Sequence, residues 1–87
     1  MTDHAPDGPL LDMVQSAQRA AGVLAARERG DVEGAADLMA SFVDADDLAG
    51  GSLMLARLTL GLYAECVGLS IEECVRELSL QLEDSLR

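Results

Sequence analysis

The stretch Ser70-Ile71-Glu72-Glu73-Cys74-Val75-Arg76-Glu77-Leu78-Ser79-Leu80-Gln81-Leu82-Glu83-Asp84-Ser85-Leu86 decides the fold. Ser70 and Glu73 have the spacing of a capping box, in which each side chain accepts the other residue's backbone N–H. Leu69 is placed as the outer half of a hydrophobic staple against Cys74. Ile71, Val75, Leu78, Leu82 and Leu86 recur at steps of three and four, so one side of a helix is apolar and expected to be buried. Glu72 precedes Arg76 by one turn, a favourable ion-pair spacing. Leu80 falls on the opposite, acidic side near Glu73 and Glu77, where a monomer has no use for it.

Upstream, Gly68 stops a helix that is apolar nearly all round. Leu55, Leu58, Leu62 and Cys66 make one stripe; Leu53, Leu60, Ala64 and Val67 make a second. Such a helix is covered on two sides. Its start is expected between Asp47 and Ser52, with Asp44-Ala45-Asp46-Asp47 and Gly50-Gly51 read as the connection before it. A short helix precedes that, with Asp31 as its cap and Val32, Ala35, Ala36, Met39, Phe42 and Val43 on its buried side. Gly34 within it predicts a close neighbour that needs the space. The first helix opens at Pro9 and ends at Gly30. Its buried stripe reads Leu10, Met13, Val14, Ala17, Ala20, Ala21 and Leu24, with Asp12, Ser16 and Arg19 on the other side. The expectation is all-α: a compact four-helix bundle with helices at roughly 10–29, 32–43, 50–67 and 71–85. Residues 1–8 are read as a flexible tail and 9–87 as one helical domain.

Composition agrees. Phe42 and Tyr63 are the only aromatics, Ile71 the only Ile, and 49% of the residues are hydrophobic, mostly Leu and Ala. Small Ala against branched Leu suits close helix–helix approach, whereas strand formers are scarce. A chain of 87 residues buries only roughly 60–65% of its unfolded surface, so its stability is modest unless it associates. The 16 acidic residues outnumber 6 basic ones, all Arg, for a formal net charge of −10. That balance argues against direct nucleic-acid binding, which needs cations to displace counterions, and against anionic membrane surfaces.

Candidate chemistry is sparse. His4 has no partner in its tail, Cys66 and Cys74 have no second pair, and zinc takes about four ligands. The cysteines are read as free thiols in a reducing compartment, and the acidic start without an apolar run as a cytoplasmic chain. Asp44, Asp46 and Asp47 lack calcium-loop spacing and are read as solvated loop charge. No catalytic residue, metal site or resident cofactor is expected.

Leu48-Ala49-Gly50-Gly51-Ser52-Leu53, followed by Arg57 and Leu58, resembles the phosphopantetheine attachment site of acyl and peptidyl carrier proteins, and Gly68-Leu69-Ser70-Ile71 resembles the stretch after their second helix. That resemblance implies a cofactor arm on Ser52, although the Asp or His before the modified Ser is absent here. The stretches Glu28–Met39 and Gly68–Leu78 resemble small helical proteins of high-GC actinobacteria or their phages, which implies no activity. The leading expectation is a small acidic adaptor or regulatory module that binds another protein and forms a homodimer, with Leu53, Leu60 and Leu80 at the interface. A carrier modified on Ser52 and an acidic inhibitor mimicking nucleic acid are the alternatives.

Overall fold

The computed structural model describes residues 8–87; the tail read over 1–8, His4 included, lies outside them except for Gly8, which opens the first helix. Four helices follow in order: α1 (Gly8–Glu28), α2 (Val32–Ala40), α3 (Ala45–Val67) and α4 (Ile71–Asp84). No strand occurs among the described residues, so the all-α expectation holds.

Two helix ends are set by glycine. Gly30 and Gly68 have φ of 76° and 72°, the left-handed conformation a glycine adopts without a Cβ clash. At the first, the Gly30 N–H donates to Arg27 O (3.1 Å) and the Asp31 N–H to Ala26 O (2.8 Å), both bonds of a Schellman motif. At the second, the Leu69 N–H donates to Ala64 O (3.1 Å). Both starts read from local sequence are present. The Asp31 carboxylate accepts the Gly34 N–H at 2.8 Å. Ser70 and Glu73 complete their reciprocal box, with the Ser70 N–H 2.9 Å from Glu73 Oε1 and the Glu73 N–H 3.1 Å from Ser70 Oγ.

Two boundaries differ from expectation. α2 ends at Ala40, where Ser41 turns its hydroxyl back to Leu38 O at 2.6 Å. α3 begins at Ala45 rather than near residue 50, because Asp44 caps it: Asp44 Oδ1 accepts the Asp47 N–H at 2.8 Å. The acidic cluster is therefore a helix start and not a loop, and Gly50-Gly51 lies inside the helix.

The chain divides into two compact units, one running to Leu55 and the other comprising Ala56–Arg87. In the first unit, Val23 and Ala26 of α1 and Ala35 of α2 form a buried cluster against which Leu38 and Phe42 pack. The buried side of α1 is Ser16, Ala17, Ala20, Val23 and Ala26, whereas Leu10, Met13 and Leu24 are exposed. This corrects the expected stripe, which followed bulk. Close approach explains the rotation. A Cβ on Gly22 would stand 3.0 Å from Leu38 Cδ1, and one on Gly51 would stand 2.6 Å from the Ser16 carbonyl carbon. Helices that near can face each other only through small side chains. In the second unit, Gly68 turns the chain from α3 into α4, and Ala64 and Cys74 are the buried apolar residues.

Candidate functional site

The side of α4 expected to be core is largely open. Ile71 is half-buried, but Val75, Leu78, Leu82 and Leu86 are 44, 42, 61 and 88% exposed. At 3.6 residues per turn, Ile71, Val75, Leu78 and Leu82 fall within an arc of about 60°, and Leu86, in the turns after Asp84, continues it. No charge interrupts this arc; Glu72, Glu73, Arg76, Glu77, Glu83 and Asp84 occupy the rest of the circumference, all exposed. The expected Glu72–Arg76 pair is not formed. Among the described residues the ion pair present is Arg29–Asp31, at 3.5 Å. Neither Arg76 nor Arg87 forms an ion pair with a described residue.

On α3 the stripe Leu58, Leu62 and Cys66 is likewise exposed, with Leu55 half-buried; the other stripe contains the buried Ala64. Of the residues read as an interface, Leu53 (72%) and Leu80 (59%) are exposed and Leu60 is half-buried. Leu53 and Leu60 share one side of α3, two turns apart, and Leu80 stands on α4 opposite its apolar arc.

Ser52 is exposed in the interior of α3, seven residues beyond Ala45, so it does not cap the helix. The cap is Asp44. Asp47, one turn on, accepts the Val43 N–H at 2.9 Å and the hydroxyl of Ser16, which is 2% exposed. The hydrogen bond from Ser16, then that from Val43, holds the Asp47 carboxyl below its ordinary 3.8. With Asp12, Asp44, Asp46 and Arg19, it lines a shallow cavity of about 480 Å³. Two of the three clustered aspartates are thus engaged by backbone N–H groups three and four residues away, a local role hidden in the sequence by the pull of Gly50-Gly51, whereas the bond from Ser16 joins residues distant in the chain. No group of three or more potential ligands for a metal ion occurs among the described residues.

Cys66 is exposed and Cys74 buried, and burial, then the nearby Glu77 and Glu73 charges, pushes the Cys74 thiol above its ordinary value. No single described helix is long and apolar enough to cross a membrane. No family model matches the chain, and neither curated proteins nor solved structures gave a match.

The two bonded carboxylates make stability acid-sensitive. The Ser70 N–H and then the Ser70 hydroxyl hold Glu73 below its ordinary 4.5, as Ser16 and Val43 hold Asp47 below 3.8. A carboxyl depressed on folding contributes stability above its unfolded value and loses it as pH falls through the folded value. The urea midpoint is therefore expected to be level near neutrality and to fall below about pH 4.5, the ordinary Glu value. In Asp47→Asn with Glu73→Gln that fall should be much shallower; an unchanged acid limb would show that neither bond matters.

Proposed function

We infer that this chain is a helical protein-docking module, acting through the uncharged arc of α4 on an apolar surface of a partner protein. The observation that carries the reading is that Val75, Leu78, Leu82 and Leu86 share one arc and are all exposed. Leucines gathered on one helix side differ from the scattered apolar residues of an ordinary surface, and contiguous apolar patches on small proteins mark interaction sites. At about 25 cal/mol per Å² of apolar surface, covering each half-exposed leucine contributes on the order of 1 kcal/mol before association costs are subtracted. Leu58 and Leu62 of α3 add to the same unit's exposed apolar surface. Leu53, Leu60 and Leu80 are secondary contacts in this reading.

A photo-crosslinking residue at Leu82 or at Ser79 tests it, because Leu82 lies in the arc and Ser79 at its edge. Expressed in the native host, the Leu82 probe should give a discrete protein adduct that Leu78→Glu abolishes, with the Ser79 probe giving less. Equal, diffuse labelling from both positions would overturn the reading.

A further inference from the structure

We propose that the partner covering the α4 arc is a second copy of this chain, docked antiparallel about a two-fold axis; this rests on the docking reading above. An arc without charges is self-complementary: it offers a partner no cation or anion to match, and another such arc meets it without leaving an unpaired charge buried. The order of charges beside the arc selects the direction. Along one flank stand Glu72, Arg76 and Glu83, with Arg87 following just past the end of α4, so acid and base alternate; all are exposed and none is ion-paired among the described residues. In antiparallel helices related by a two-fold axis, a flank meets the same flank of its mate. Glu72 and Arg87 are centred on the point between Ser79 and Leu80, and so are Arg76 and Glu83. An axis through that point therefore brings Glu72 to Arg87 of the second copy and Arg76 to Glu83 of the second copy, each pair made twice. It also puts Leu78 opposite Leu82 of the second copy, to within one residue. A parallel two-fold pairing would instead set this flank against the opposite one, where Cys74 and Gln81 stand, and would form none of these pairs.

The arrangement suits a chain with a net charge of −10, whose copies otherwise repel. The flank carries two acids and two arginines and is locally neutral. The area is modest. Three exposed apolar side chains on a helix of 14 residues, with Leu86 just past its end, cover less than the roughly 800 Å² per partner of a standard interface, so the affinity expected is micromolar, about 10 µM.

Sedimentation equilibrium of the intact chain from about 1 to 500 µM tests this, with circular dichroism verifying that each variant is folded. The expected result is a monomer of 9.2 kDa at the dilute end and twice that mass at the concentrated end. Arg76→Glu breaks two pairs at once and should weaken association at least about 10-fold. Arg76→Glu with Glu83→Arg exchanges the partners and should restore it to within about threefold. Arg19→Glu, the same charge change on α1, should have a much smaller effect. A monomer throughout the range would overturn the proposal, as would a dimer that the double exchange fails to restore. If the chain is monomeric while the Leu82 probe still captures a different protein, the second copy is wrong and the docking reading stands. If dimers form but Leu82 captures nothing, both are wrong.

Discussion

Replacing Gly51 by alanine is expected to lower the unfolding free energy by about 2–3 kcal/mol, while the same change at Gly50 raises it by about 0.5–1 kcal/mol. Both residues lie in α3, and in both the substitution improves helix propensity by roughly the same amount. Their surroundings differ. A Cβ at Gly50 meets nothing within 4 Å; at Gly51 it would stand 2.6 Å from the Ser16 carbonyl carbon and 2.7 Å from Ser16 Cβ and O. The obstacle is helix backbone, which cannot rotate aside, so α3 has to move off α1. The Ser16–Asp47 hydrogen bond spans the same two helices and would go with it. Urea unfolding of the two variants beside the parent checks the pair. Equal effects at the two positions would show that the close crossing is absent.

The second large effect concerns the thiols. With a thiol-specific disulfide reagent at neutral pH, one cysteine per chain should react at the rate of an exposed thiol and the other at least about 100-fold more slowly. Reactivity follows thiolate fraction and access. Cys66 is exposed; Cys74 is 2% exposed, and burial beside Glu77 and Glu73 holds it protonated. Because Cys74 lies in the first turn of α4, its labelling reports opening at that end. Ser70→Ala removes the hydroxyl of the capping box and costs about 1 kcal/mol, so Cys74 should then react about fivefold faster, with Cys66 unchanged. Two thiols reacting at one rate, or a Cys74 indifferent to Ser70, would contradict the described burial.

What could be read from the sequence was whatever depends on neighbours in the chain. The Ser70–Glu73 box, the Asp31 cap and the glycine stops at Gly30 and Gly68 each involve residues within five of one another, and all are present. The start of α3 was misplaced because two glycines outweighed an aspartate in the reading. Gly51 is explained by Ser16, far away in the chain, which no local rule can see. The same contact explains why α1 buries Ser16 and Ala20 in place of Leu10 and Leu24. Periodicity located the apolar side of α4 correctly but not what covers it; a regular stripe looks the same whether its partner is the same chain or another. The Asp47–Ser16 bond was likewise out of reach, since it pairs residues whose local contexts gave no hint of each other.

The small residues at the buried positions make the interior nearly invisible to the usual way of mapping one. Ala17, Ala20, Ala26, Ala35 and Ala64 carry only a methyl group, and Ser16 only a hydroxymethyl. Alanine scanning would pass over most of them without a signal and return its largest effects at a few positions such as Val23. The informative experiment is the reverse one, walking a bulky residue through the chain. Tolerance to isoleucine or phenylalanine at each site would trace the helix contacts as a set of forbidden enlargements. By the same logic these positions impose a ceiling on side-chain size rather than a floor.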